Sequence, residues 1–180
     1  MSAEHAVNSA VLRFCPACGR EGVSWHSGKK LTCEACGLTL FFNSAAAAGI
    51  IFECCGKILL AVRNNDPCRD MLDLPGGFAD FGETGEMTAR REILEELGLQ
   101  AGELEYLCSF PNIYPYRGIT YHTLDLIFLA HLDEFPDITP RDDVKDFLWI
   151  EPDAIDFNRV AFTSVRSALE FYRFAKRRLL

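Results

Sequence analysis

From about residue 45 onward the chain alternates stretches of strand-like and helix-like patterning. Residues 45–52 and 57–62 are short, nearly continuous apolar runs, which predict two buried strands joined by a turn at 53–56. Residues 64–73 are polar and contain a proline, so they predict a loop. Residues 84–97 carry apolar positions at helical spacing and end at Gly98, which predicts a helix. Strands are predicted at 104–110, 121–132 and 147–150. Between them lie a Pro/Tyr/Gly-rich loop at 111–118 and an acidic, proline-broken loop at 133–146. At 162–178 an amphipathic helix is predicted from Val165, Leu169, Tyr172 and Ala175 or Lys176. Strands mixed with two helices predict an α/β sandwich.

The first 43 residues read differently. They hold paired cysteines, glycines and basic residues, with no apolar run long enough to make a core of their own. The division predicted is therefore a small module at 1–43 ahead of a larger domain at 44–180. A chain of 180 residues, 49% of them apolar, can bury a proper core and is not a disordered chain. No apolar run reaches the roughly 18–20 residues of a membrane span, and Met1–Asn8 lacks the pattern of a secretory signal. With 18 basic and 26 acidic residues the formal charge is −8, which argues against attraction to nucleic acid or an anionic membrane through net charge. An acidic protein that handles a phosphorylated substrate needs positive charge from elsewhere, most simply from a metal ion.

Of the eight cysteines, four form two pairs, Cys15-x-x-Cys18 and Cys33-x-x-Cys36, with fourteen residues between the pairs. Each pair can present two thiolates from a tight turn, and two turns close a tetrahedron around one metal. Both motifs are followed by glycine, Gly19 and Gly37, which suits turns whose amides point back at sulfur. The stretch between the pairs, with Trp25, His26, Lys29 and Lys30, is long enough for a hairpin. The pattern resembles a zinc ribbon, whose folding free energy comes from metal binding. Zn²⁺ is the structural cofactor expected on Cys15, Cys18, Cys33 and Cys36, and His26 is expected at the surface. Arg13, Arg20, Lys29 and Lys30 permit nucleic-acid contact, although a solvated face is the preferred expectation. Thiols in this arrangement and the lack of an export signal predict the reducing cytoplasm.

The most informative stretch runs from Gly76-Gly77 through Glu83 to Arg91-Glu92-Ile93-Leu94-Glu95-Glu96-Leu97-Gly98-Leu99. On a helix Glu92, Glu95 and Glu96 fall at i, i+3 and i+4, one carboxylate cluster beside an apolar stripe of Ala89, Ile93 and Leu97. Hard oxygen ligands this dense suit Mg²⁺ or Mn²⁺. The spacing from Gly77 to Glu83 to Arg91 matches the Nudix box at every fixed position, and the chain is similar to the Nudix hydrolases. That resemblance implies an α/β/α sandwich with a mixed sheet, and hydrolysis of a nucleoside diphosphate linked to another group. It further implies that Glu92, Glu95, Glu96 and the carbonyl of Gly76 hold the metal. Arg91 would orient the glutamates, and Glu83 would brace the loop or reach metal through water. Asp142 or Asp143 lies where some members carry a late-loop general base.

A zinc ribbon ahead of such a domain looks like the NADH pyrophosphatases, which carry Ser-Gln-Pro-Trp-Pro-Phe-Pro-x-Ser after the box. Here the matching segment is Ser109-Phe-Pro111-Asn-Ile-Tyr114-Pro115-Tyr116-Arg117, without the Gln, the Trp, the middle Pro or the final Ser. Pro115 also fits the position associated with ADP-ribose hydrolysis, and Tyr114 or Tyr116 fits that of dinucleotide-polyphosphate hydrolases. Ser109, Tyr114, Tyr116 and Arg117 are the substrate-binding candidates, with Tyr121 and His122 near them. Tyrosine rings suit stacking on a base. The expected substrate is NADH or NAD, then ADP-ribose. The expected partners are this small-molecule nucleotide and a second copy of the chain in a homodimer, with no membrane. The competing expectation is a non-catalytic Nudix-fold sensor or binding module whose ribbon contacts nucleic acid or protein.

Overall fold

The structure, a computed structural model, describes residue 8 and residues 10–141 and 143–179. The chain divides into two compact units. One is drawn from the chain up to Ser44 together with Tyr114–His122, the other from Ala45–Ile113 and Thr123 onward.

The first unit is organised by two matched turns. In one, Cys15 N–H donates to Arg20 O (2.8 Å) and Gly19 N–H to Cys15 O (2.9 Å); in the other, Cys33 N–H donates to Leu38 O and Gly37 N–H to Cys33 O, both at 2.9 Å. Gly19 and Gly37 have φ of 71° and 77°, the left-handed conformation that lets each turn fold back on its own cysteine. Between and after the turns runs a three-stranded antiparallel sheet, β1 (Ser24–His26), β2 (Lys30–Thr32) and β3 (Thr39–Phe41). The third strand was not legible in the sequence, because three residues show no periodicity.

The second unit holds most of a seven-stranded sheet. Its path is β10 (Val144–Ile150), β5 (Lys57–Arg63), β4 (Ala45–Cys54), β9 (Ile119–Leu132) and β8 (Glu105–Tyr116), with β6 (Leu72–Asp73) on β5 and β7 (Gly76–Phe78) on β4. The sheet is mixed: β4 and β9 are parallel over ten residue pairs, while β5 and β7 pair with β4 antiparallel. β5 pairs with only the last two residues of β4, and β7 pairs with Ala47–Gly49 near its start. The continuous apolar composition of β4 reflects a central strand buried on both faces.

Two helices cover the two faces. α1 (Gly85–Leu97) starts at Thr84, whose hydroxyl accepts from Met87 N–H, and stops at Gly98 in the left-handed conformation (φ 68°). Its Ala89, Ile93 and Leu97 pack with Ile50, Phe52, Leu59, Phe128 and Ala130 in one core cluster. Glu53 points from β4 to the other face, where it accepts from Tyr172 Oη (2.5 Å) and from Lys176 Nζ on α2 (Thr163–Leu179). The result is an α/β/α sandwich with a mixed sheet, preceded by a module whose four cysteines are gathered as in a zinc ribbon.

Three sequence expectations are corrected. Residues 111–118 are not a loop: β8 continues to Tyr116, and the turn is only Arg117 and Gly118, both with positive φ. β8 ends the path of strand pairing, and proline is tolerated at a sheet edge where its missing N–H breaks no ladder bond. Pro111 and Pro115 signal a loop in sequence alone, where the sheet edge is not visible. Likewise Leu72–Asp73 at the end of the predicted 64–73 loop is a short strand, and the predicted acidic loop gives way to β10 at Val144.

Candidate functional sites

Two clusters of charged ligands stand out, one in each unit. In the second unit, β7 brings Gly76 and Gly77 against β4 and hence under α1. Gly76 has φ of 140°, and a Cβ there would lie 2.1 Å from Ala48 O. A Cβ on Gly77 would lie 2.5 Å from Glu92 Oε1, so the missing side chain is the space this carboxylate occupies.

Arg91 is the hub of the loop and helix. Its guanidinium binds Glu83 twice (Nε to Oε1 2.8 Å, Nη2 to Oε2 3.0 Å), Glu92 Oε1 at 2.7 Å, Glu95 Oε2 at 3.2 Å and the Phe78 carbonyl at 2.9 Å. Such a fork-on-carboxylate arrangement fixes direction as well as charge. Glu83 in turn accepts from Asp80 N–H and Thr88 Oγ1, both at 2.9 Å. The Arg91 guanidinium, with those two donors, holds the Glu83 carboxyl down to about 2 although burial opposes it. Glu83 raises Arg91 in return. Thr88, fully buried on α1, is a member of this network that the sequence reading missed. Its one signal was a hydroxyl on the buried side of an amphipathic helix.

Glu96 stands apart. It is 7% exposed, and its Oε2 accepts from Gly76 N–H at 3.0 Å. Burial, opposed by the pull of that N–H and joined by the charges of Glu92, Asp73 and Asp143, pushes its carboxyl up to about 8. Asp73, held by Arg63 at 2.7 Å, is itself raised to about 6, first by burial. Asp143 accepts from Asn65 Nδ2 at 2.5 Å, while Asp142 lies outside the described residues. A buried carboxylate with three acids around it is short of positive charge, so the hard-oxygen donor set fits a divalent cation. Glu92 and Glu95 accept from Arg91, whereas Glu96 accepts from the Gly76 N–H. Among the described residues only the four cysteines make a group of three or more ligand side chains with all donor atoms within 4.8 Å.

The cysteine cluster lies in the first unit. The Cys15–Cys36 and Cys18–Cys33 sulfurs are 3.6 and 3.8 Å apart. Tetrahedral zinc with bonds of about 2.3 Å requires sulfur separations of about 3.8 Å, so the residues fit the ion. The Cys18 backbone N–H aims at Cys15 and lowers its thiol to about 7. Cys36 is favoured as a thiolate by the Leu38 N–H, yet its hydrogen bond to Cys15, burial and the other two thiols carry it to about 12. Four thiols this close cannot all ionise without a cation among them. His26 is bonded to Thr32 Oγ1 (2.8 Å) and is not part of the cluster.

The substrate-binding candidates lie on β8 and its turn. Strand alternation puts Ser109 on one face and Tyr114 and Tyr116 on the other. The tyrosine rings are 6.3 Å apart, and Arg117, at φ 48°, sits 5.3 Å over Tyr116.

The NUDIX domain model matches residues 43–171. The chain is 37% identical over 92 residues to an ADP-ribose pyrophosphatase of Methanocaldococcus jannaschii, covering 50% of this chain and 52% of that one. It is 30% identical over 118 residues to the NAD-capped RNA hydrolase NudC of Pectobacterium atrosepticum, covering 66% and 43%. The chain thus spans about half the length of the curated relatives it matches. Among solved structures, a NUDIX hydrolase from Nitrosomonas europaea superimposes with a TM-score of 0.62 at 25% identity, covering 88% of this chain and 89% of that one. No helix among the described residues is long and apolar enough to cross a membrane.

Proposed function

The chain belongs to the NUDIX family, and from that premise we propose that it is a metal-dependent hydrolase that cleaves the diphosphate of an adenosine-containing nucleotide. NADH or NAD is the first substrate and ADP-ribose the second. The observation that carries this reading is the buried Glu96 carboxylate, which accepts from the Gly76 N–H and lies within the electrostatic reach of Glu92, Asp73 and Asp143. Relatives described as an ADP-ribose pyrophosphatase and an NAD-capped RNA hydrolase support the substrate class.

Glu92, Glu95 and Glu96, with the Gly76 carbonyl, would hold Mg²⁺ or Mn²⁺. The ion supplies charge neutralisation of the diphosphate and a lowered pKa for the attacking water. Arg91 keeps Glu92 and Glu95 in place, and Glu83 keeps Arg91 from swinging away. Asp143 is our candidate to accept the proton of the attacking water. Ser109, Tyr114, Tyr116 and Arg117 recognise the substrate, the tyrosines by stacking.

Cys15, Cys18, Cys33 and Cys36 bind one structural Zn²⁺. Two Cys-x-x-Cys pairs gathered as metal ligands support a reducing compartment, the cytoplasm. The chain acts on a small nucleotide, as a homodimer.

Mass spectrometry of products from NADH, NAD, ADP-ribose, dinucleotide polyphosphates and nucleotide sugars, with Mg²⁺ or Mn²⁺, tests the activity. Paired mononucleotide products from NADH, such as AMP and the reduced nicotinamide mononucleotide, are expected. Failure to cleave any member of the panel would leave a nucleotide-binding module and overturn the proposal.

A further inference from the structure

The hairpin joining β4 to β5 carries two adjacent thiols that neither the carboxylate site nor the ribbon uses. Cys54↔Lys57 is the last register pair, so the turn itself is Cys55 and Gly56. Their φ values of 49° and 79° suit a two-residue hairpin turn that prefers Asn-Gly. Cys54 is 1% exposed and Cys55 is exposed, yet their sulfurs lie 3.8 Å apart. The side chains of consecutive residues in a strand point to opposite faces. Here the turn conformation of Cys55 brings its sulfur round to that of Cys54.

The separation selects what the pair can bind. Neighbouring Cα atoms across a trans peptide are about 3.8 Å apart, below the 4.4–6.8 Å usual for a disulfide, so direct closure to an S–S bond is disfavoured. A bridging atom with bonds of about 2.3 Å spans about 3.3–3.8 Å at bond angles of about 90–110°. A pyramidal centre thus needs the two sulfurs to close by at most a few tenths of an ångström, whereas a linear centre needs about 4.6 Å. Among the described residues no third His, Cys, Asp or Glu joins the pair as a close ligand group. The site therefore suits a soft, bent centre that takes two thiol ligands and keeps its remaining substituent outside.

We propose that Cys54 and Cys55 form a bidentate site for trivalent arsenicals, with the exposed Cys55 thiol capturing the arsenic and Cys54 closing the chelate. With an organic arsenoxide the step balances: the arsenic–oxygen bond gives way to two arsenic–sulfur bonds, both thiol protons leave with the oxygen as water, and no electron is transferred. Asp133 and Glu134 lie close enough to act on Cys54 electrostatically. A neutral arsenical approaches past these charges unhindered, while an anionic thiol reagent is repelled. The inference is independent of the hydrolase reading.

The zinc-loaded full chain, treated with one equivalent of phenylarsine oxide, is followed by intact-mass spectrometry and peptide mapping. One phenylarsine group is expected on the peptide holding Cys54 and Cys55. It should be reversed by a dithiol but not by excess monothiol, and be lost in Cys55→Ser and Cys55→Asn. Asn suits the positive φ, so at least one of the two variants keeps the hairpin. It should persist in Cys68→Ser and Cys108→Ser. Mapping of the group to any other cysteine, or its release by monothiol, would overturn the proposal.

Discussion

The two units treat charge in opposite order. In the N-terminal unit the ligands come first and the fold follows. Its buried apolar side chains, among the described residues, are Leu31, Cys15 and Cys33, and two of those three are themselves ligand candidates. In the other unit the fold comes first. Ile50, Phe52, Leu59 and Ile93 are fully buried, and α1 is seated on them whatever its carboxylates do. A module without a core has to borrow free energy from an ion. A domain with a core can spend some of its own to crowd like charges together, as it does around Glu96. On the proposed reading, the first unit would need its cation for shape and the second only for chemistry.

The largest expected effect breaks the comparison at the ribbon. Structural zinc sites contribute on the order of 10 kcal/mol, far more than burying Leu31 supplies. Elemental analysis should find one zinc per chain. Stripping it with a strong chelator, or introducing Cys33→Ser, should abolish amide-exchange protection in β1–β3 while β4, β5 and β9 keep theirs. Equal loss of protection in both sheets would mean that the units do not fold on separate terms.

Next comes the carboxylate helix. Glu95→Gln and Glu96→Gln preserve shape and remove charge, and each should lower kcat about 10³-fold, some 4 kcal/mol of transition-state stabilisation. Stability should move the other way at Glu96. Burying that charge beside Glu92, Asp73 and Asp143 opposes folding, so the neutral Gln should leave the melting temperature equal or higher. A stable Glu96→Gln variant with undiminished turnover would remove Glu96 from the catalytic set.

How far the sequence reached follows the same division. The helix at 84–97 was legible to within a residue, since Thr84, the Ala89/Ile93/Leu97 stripe and Gly98 are local signals. The gathering of Cys15, Cys18, Cys33 and Cys36 was legible, because two tight turns can close on one metal, whereas the facing of Cys15 with Cys36 and of Cys18 with Cys33 was not. That Glu92 and Glu95 bind Arg91 while Glu96 binds the Gly76 N–H was not legible either, nor was β7, whose three residues become a strand only because β4 offers an open edge there. The error at 111–118 has the same root. Proline reads as loop until its place at a sheet edge is known, and that place is a property of the whole sheet.

A smaller effect concerns that strand. Tyr114 is half-buried and keeps a ring neighbour in Tyr116. If it stacks on the substrate's base, Tyr114→Ala should raise KM by the equivalent of about 1–2 kcal/mol and leave kcat nearly unchanged. A fall in melting temperature with KM unaltered would make Tyr114 a packing residue and remove β8 from substrate recognition.

The smallest effect tests whether the larger unit can neutralise a buried charge entirely by itself. Glu53 lies between β4 and α2, partly buried, where burial alone would raise its carboxyl. The hydrogen bonds from Lys176 and Tyr172, with the charges of Lys176 and His131, outweigh that and bring it below its usual 4.5. A carboxyl lowered on folding stabilises the native state above the unfolded pKa, and that contribution disappears as pH falls through the lower, folded value. Glu53→Gln copies the shape of the protonated acid. It should therefore cost about 1 kcal/mol at pH 7, between the worth of an exposed ion pair and that of a charged hydrogen bond. The gap between wild type and variant should narrow below pH 4.5 and close once Glu53 is protonated in both states. Urea denaturation at pH 7 and at successive steps below pH 4.5 measures this directly. A gap that stays constant down the series would show that Glu53 acts through shape and not charge. The contrast with the cysteine cluster, where only an added cation can do what Lys176 does here, would then lose its third term.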